Sequence, residues 1–195
     1  MSALKRWGES HRSEWVKYNN AYAGKGCVSP TKQQRKTQQV IGVISDTHGL
    51  VRPEALQCLQ RVEFIIHAGD VGKPAVIQSL LSIAPVVAVR GNNDKGEWAR
   101  KLPLTEVVQA GSSRIYIIHD LKELDFNPRD AGFQVVISGH SHRPSAVQRN
   151  GVLFLNPGSA GPRRFKLPIT VARLHLKGPS AEAEIVKLDG PSVLG

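Results

Sequence analysis

The sequence predicts an α/β fold: two mixed sheets packed face to face, with helices on the outside. Three observations lead there. Between residues 40 and 89, short apolar runs alternate with helical stripes, the rhythm of a parallel sheet with helical crossovers. Beyond residue 104, six more apolar segments read as strands, with one break at residues 121–131. Residue types that bind metals recur just past the strand ends.

Val40-Ile41-Gly42-Val43-Ile44 is a β-branched run ending in Ser45-Asp46, the pattern of a buried central strand. Pro53 suits the first position of a helix, and Ala55, Leu56, Leu59 and Val62 follow at helical spacing. Phe64-Ile65-Ile66 forms the second strand and ends at Gly69-Asp70. Pro74 opens a second helix with Val76, Ile77, Leu80 and Leu81 on one face. Residues 86–89 form the third strand, ending at Gly91-Asn92. Strands are then expected at 104–108, 115–118, 135–137, 152–155, 169–176 and 183–188, with a helical or irregular stretch at 121–131.

Residues 1–38 look different. They carry eight Lys and Arg against Glu9 and Glu14, a net +6 of the chain's +10, and little apolar surface. A disordered basic extension is expected there, followed by one domain over 39–190. The extension is read as a bland tail or an early start, ahead of a weak contact with nucleic acid. Cys27 and Cys58 form no CxxC pair, so a disulfide framework is not expected and a cytoplasmic location is. No apolar run approaches the roughly 18 residues of a membrane-spanning helix, and no secretory signal is evident.

The chemistry lies in four motifs: Asp46-Thr47-His48, Gly69-Asp70, Gly91-Asn92-Asn93-Asp94 and Gly139-His140-Ser141-His142, with His119 at the end of its own apolar run. In open α/β sheets, ligands bind beyond the carboxyl ends of the strands, so these side chains should meet on one edge. Asp46 and His48 are two apart, as are His140 and His142, and an extended backbone would turn each pair toward one centre. Seven residues, Asp46, His48, Asp70, Asn92, His119, His140 and His142, then supply enough donors for two divalent ions. Asp70, central in the order, is the candidate to bridge them. Four imidazoles among carboxylates and an amide suit Mn²⁺, Fe, Zn²⁺ or Ni²⁺ better than Mg²⁺. Two such ions share a water, lower its pKa and neutralise phosphoryl oxygens, so hydrolysis at phosphorus is the expected reaction. His67 is expected in the core or behind a ligand, His175 to be structural, and His11 to be solvated.

These motifs, in this order, resemble the calcineurin-like metallophosphoesterase superfamily, and most closely its small single-domain bacterial and archaeal phosphodiesterases. The resemblance covers about residues 40–188 and includes Asn156-Pro157-Gly158-Ser159, similar to a late turn of that subgroup. It implies a four-layer α/β/β/α sandwich. It also implies that Asp46, His48 and His142 hold one ion, that Asn92, His119 and His140 hold the other, and that Asp70 bridges them. The implied enzyme is a phosphodiesterase acting on a small or cyclic nucleotide-like substrate. A metal-bridging hydroxide would attack the phosphorus, with Asp70, Asn92 and His140 at the catalytic centre and Mn²⁺ as the leading metal. The alternative is a weakly catalytic or non-catalytic binding module, as in the retromer subunit of the same fold. The seven retained ligands count against it.

Two positions depart from the family pattern. Asn93 stands where many members carry a histidine, and an amide is no general acid, which tilts the reading toward diesters. Asp120 stands where glycine is common. Arg163 and Arg164, after the Gly158-Ser159 turn, are candidate substrate contacts, since a guanidinium suits a phosphate oxygen.

Overall fold

The computed structural model describes residues 38–188, so the expected basic extension lies, apart from Gln38, outside the described residues. Among the described residues, ten strands form two five-stranded sheets. The first has the order β10-β9-β1-β2-β3, built from β1 (Gln39–Ile44), β2 (Ile65–His67), β3 (Val86–Ala88), β9 (Thr170–Lys177) and β10 (Ser180–Lys187). The second has the order β4-β5-β6-β8-β7, built from β4 (Thr105–Ala110), β5 (Ser113–Ile118), β6 (Val135–Ile137), β7 (Ser145–Arg149) and β8 (Val152–Asn156). In the first sheet β1, β2 and β3 run parallel, and β9 returns antiparallel to β1. In the second, β5, β6 and β8 run parallel, with β4 and β7 antiparallel at the edges.

Strand alternation puts one set of side chains between the sheets. Ile41 and Val43 of β1, Ile115 and Ile117 of β5, Val135 and Ile137 of β6, Leu153 and Leu155 of β8, and Leu174 of β9 all belong to one buried cluster. The other face of the first sheet receives α1 (Pro53–Cys58) and α2 (Pro74–Leu81), each begun by its proline, whose missing N–H costs nothing at that position. Gly42 lets α1 close in: a Cβ there would lie 2.7 Å from the Leu59 side chain. The outer face of the second sheet is covered more thinly. A 3-10 turn at Leu121–Glu123 and the chain after it bring Phe126 and Phe133 onto Tyr116, with ring centroids 5.0 and 5.3 Å away. Among the described residues no helix is long and apolar enough to cross a membrane.

Two elements escape the sequence reading. α3 (Glu97–Arg100) is a single turn between the third strand and the strand expected at 104–108, where the sequence reading placed no element. Strand β7 is exposed at every residue, so it shows no buried alternation. The signal that would have found it is the turn that follows. Asn150 and Gly151 both have positive φ, 52° and 81°, the conformation that joins two antiparallel strands through a tight hairpin.

His67 at the end of β2 is fully buried. Thr47 Oγ1 lies 3.0 Å from the Val71 carbonyl, to which it donates, so His67 Nε2–H donates to Thr47 Oγ1 at 2.9 Å. Nδ1 has no partner, and protonating it would bury an unpaired N–H. Burial accordingly pushes the His67 pKa down to about 4. Stability from this group is complete above the ordinary value of 6.5 and is lost as pH falls toward 4, because the unfolded state then binds the proton more readily. The expected loss is about 3 kcal/mol across that window. Urea midpoints measured against pH without added metal should show it in the wild type, with the slope reduced in His67→Gln.

Candidate metal centre

All four motifs and His119 meet at the carboxyl ends of β1, β2, β3, β5 and β6. Backbone hydrogen bonds zip the first two loops together. Asp46 N donates to Gly69 O at 3.0 Å, His48 N to Asp70 O at 2.9 Å, and Gly49 N to Val71 O at 2.8 Å. Asp94 clamps the next pair, accepting from Val71 N, Gly72 N and Gly91 N at 3.2, 2.7 and 2.8 Å. Glycine is required where these loops touch. A Cβ on Gly91 would lie 2.1 Å from Asp70 N, and one on Gly69, at φ 91°, would lie 2.5 Å from the His119 ring.

Two compact groups of donors result. In the first, Asp46, His48 and His142 bring their ligand atoms within 4.8 Å of one another. His48 Nε2 faces His142 Nε2 at 3.4 Å, and His142 Nε2 lies 3.2 Å from Asp46 Oδ1. That oxygen is buried without a hydrogen-bond partner, so the close approach is not an aligned bond. In the second group, Asp46, Asp70 and His119 meet the same limit. His119 Nδ1 donates to the Ala68 carbonyl at 2.7 Å, which leaves Nε2 facing Asn92 Oδ1 at 3.0 Å and Asp70 Oδ2 at 3.5 Å. Lone pairs that face each other this closely are relieved only by a cation, a proton or a metal ion. The donor set therefore fits divalent ions.

Asp46 is common to both groups, and Asp70 of the second reaches toward the first, its Oδ2 3.8 Å from His48 Nε2 and 3.5 Å from His119 Nε2. The paired histidines do not behave alike. Asp46 and His48 join one group, but His140 and His142 part: His140 Nδ1 turns to Asn92 Oδ1 at 3.0 Å, and its Nε2 lies 3.6 Å from Asp120 Oδ2. The backbone is not extended here, as the two-residue spacing suggested. Asp46, His48, Asp70, His140 and His142 have φ of 53°, 46°, 54°, 64° and 58°, a left-handed region that non-glycine residues seldom enter. Strain gathered on these five residues is characteristic of a functional site.

Burial alone would raise the Asp70 carboxyl. Hydrogen bonds from His119 and from the side chain and backbone of Asn93 outweigh it and hold the group well below the usual range. Asn93 N donates to Oδ1 at 2.8 Å and Nδ2 to Oδ2 at 2.6 Å. Burial pulls the His48 pKa down. It pulls on His119 too, but hydrogen bonding to Asp70 and to the Ala68 carbonyl raises that group overall.

Of the arginine pair, Arg164 reaches the centre, with Nη2 3.5 Å from His48 Nε2, while Arg163 Nη1 donates to Leu167 O at 3.3 Å within its own loop. A cavity of about 330 Å³ opens beside the second group, lined by Arg90, Leu104, Asp120 and Glu123 as well as Asn92, His119 and His140. Sequence reasoning assigned no task to Asp94, Ser45 or Thr47, and drew Asn156 only from a resemblance. The structure makes them the supports. Asn156 Nδ2 donates to Gly139 O at 2.6 Å, and Ser45 Oγ lies 2.9 Å from Gly158 O.

Comparison with known proteins places this geometry in context. The family model described as the calcineurin-like phosphoesterase superfamily domain matches residues 40–178. A probable metallophosphoesterase of Methanothermobacter thermautotrophicus is 35% identical over 164 residues, covering 78% of this chain and 94% of the relative. A phosphodiesterase of Methanocaldococcus jannaschii is 28% identical over 137 residues, 60% of this chain and 82% of the relative. Among solved structures, Chaetomium thermophilum Vps29 has the same fold, with a TM-score of 0.64 at 22% identity, over 76% of this chain and 96% of that one.

The Asp94 clamp yields a direct test. Asp94→Ala removes the acceptor of three N–H groups and should cost about 2–4 kcal/mol. Chemical denaturation measures it; an unchanged midpoint would show that the loops hold without the clamp.

Proposed function

The chain belongs to the calcineurin-like phosphoesterase superfamily, and from that premise we propose that it is a dinuclear metal-dependent phosphodiesterase. The observation that carries the proposal is the pair of donor groups where the strand ends of the two sheets meet, with Asp70 Oδ2 3.8 Å from His48 Nε2 of one group and 3.5 Å from His119 Nε2 of the other. Asp46, His48 and His142 would hold one ion; Asn92, His119 and His140 the other; Asp70 would contact both. Four imidazoles with carboxylates and an amide suit Mn²⁺, Fe, Zn²⁺ or Ni²⁺ better than Mg²⁺, and Mn²⁺ is the ion we take first. When bound, two divalent ions supply charge neutralisation at the phosphoryl oxygens and a water of lowered pKa.

The chain's own residues do the rest. Asn92 turns its carbonyl oxygen toward His119 and His140, where it would join them in holding the ion, which leaves its amide N–H groups to donate to a phosphoryl oxygen. Arg164 adds a charged donor on the opposite side, beside His48. His119 keeps its proton on Nδ1 through the Ala68 carbonyl, which fixes its tautomer and orientation.

Asn93 supports the choice of ester. Its side chain is spent on Asp70, and an amide cannot protonate a departing oxygen. Substrates that need little help at the leaving group, such as an activated or cyclic diester, suit this arrangement better than a monoester. The phosphodiesterase of M. jannaschii among the relatives supports the same reading. A small or cyclic nucleotide-like diester is the substrate class we infer. All seven candidate ligands are retained, which argues against a purely non-catalytic module.

Hydrolysis of an aryl phosphodiester with added Mn²⁺ tests the proposal. Asp70→Ala should bring turnover to background and lower bound metal measured by elemental analysis. Turnover equal to the wild type would overturn it. Asn93→His places an imidazole there and should raise the rate on an alkyl monoester, whose departing oxygen needs a proton, by about tenfold or more relative to the diester.

A further inference from the structure

Phe165 is 92% exposed, while no other large apolar side chain among the described residues exceeds Leu104 at 59%. Its φ is 53°, a conformation that an aromatic residue adopts only when the surroundings impose it. The fold thus strains its backbone here and buries nothing in return.

The surroundings are well braced. Phe165 is the second residue of a tight turn closed by Leu167 N donating to Arg164 O at 3.1 Å. The base of the loop is tied by the Ser159–Ile169 bridge and by Arg52 Nη2 donating to Gly161 O at 3.3 Å. Gly161 packs directly against the metal motif: a Cβ there would lie 2.5 Å from the carbonyl oxygens of both Asp46 and Thr47. Arg163 Nη1 spans the turn to Leu167 O. The residue before Phe165, Arg164, reaches to 3.5 Å from His48 Nε2. A loop rooted on the candidate centre therefore offers a guanidinium toward His48 and, one residue on, a bare ring. A nucleotide carries an anionic phosphate and a planar base in the same close succession.

We propose that residues 161–169 form a nucleobase-stacking arm, with Phe165 as the platform and Arg164 on the phosphate. This rests on the phosphodiesterase reading and narrows its substrate to esters of a nucleoside. Stacking on an aromatic ring tolerates any base, so the arm selects for the presence of a base and not its identity. Lys166, the other central residue of the turn, is exposed and adds a positive charge next to Phe165 in the chain.

Two esters that release the same phenol test it: thymidine 5′-(4-nitrophenyl phosphate) and methyl 4-nitrophenyl phosphate. Phe165→Ala should raise KM for the thymidine ester on the order of tenfold, with kcat little changed. It should leave the methyl ester unaffected, and Phe165→Trp should restore the wild-type KM. Equal losses on both esters would mean that the residue merely shapes the turn, and no loss on the thymidine ester would remove the platform; either result overturns the proposal. A wild-type protein that hydrolyses neither ester with Mn²⁺ would refute the phosphodiesterase reading instead. The arm is then judged by binding: thymidine 5′-monophosphate, without metal, should saturably quench the tryptophan fluorescence added by Phe165→Trp, and absence of quenching would overturn it.

Discussion

Everything at the candidate centre depends on how closely two strand ends from different sheets approach one another. Asp46, beyond β1, accepts from His140 N, beyond β6, at 3.1 Å through Oδ2, which also takes a hydrogen bond from Ser45 Oγ. Gly139 is the residue that permits the contact. A Cβ there would lie 2.7 Å from Ser45 Oγ, 2.8 Å from Asp46 Oδ2 and 2.9 Å from the Ala68 carbonyl. Any larger residue would part the sheets at this edge and separate His142 from Asp46. The turn at Asn156 to Ser159 fastens the same seam, because Ser159 Oγ donates to Asp46 O at 3.0 Å and Ala160 N to Ser45 O at 3.1 Å.

That seam explains how the fold sustains a site that is costly by itself. Two buried carboxylates and four imidazoles crowd together, and five of the seven candidate ligands sit in left-handed backbone. Each such residue costs of order 1–3 kcal/mol. The apolar cluster between the sheets and the zipped loop backbones supply the rigidity that holds them. A cation at the centre would relieve the facing lone pairs, so ion binding and stability are coupled. The fully buried His67, bonded to Thr47, lies behind the first motif and gives that support a pH limit.

Legibility in the sequence varied from residue to residue for physical reasons. The parallel strands β1, β2 and β3 were readable because strands buried on both faces become continuous β-branched runs. The exposed β7 had no such run, and only its Asn150-Gly151 turn marked it. The two-residue spacing of Asp46 and His48 pointed to convergence, and they do converge, but through alternating left-handed residues and not along an extended strand. The same spacing at His140 and His142 led to divergence, since each ring follows the loop packed opposite it. Arg163 and Arg164 looked equivalent as neighbours; the turn after them sends one to Leu167 O and the other to His48.

By itself, then, the sequence determined the α/β class and the parallel run of β1, β2 and β3, and it singled out seven side chains as candidate ligands. Those properties follow from local hydrophobic pattern and from side-chain chemistry, which a linear chain displays openly. Only the tertiary structure decided which ligands share a centre, which arginine reaches it and which glycines have no room for a Cβ. Those depend on contacts across 94 residues of chain, as between Asp46 and His140, and on the seam between two sheets, where spacing in sequence carries no information about spacing in space.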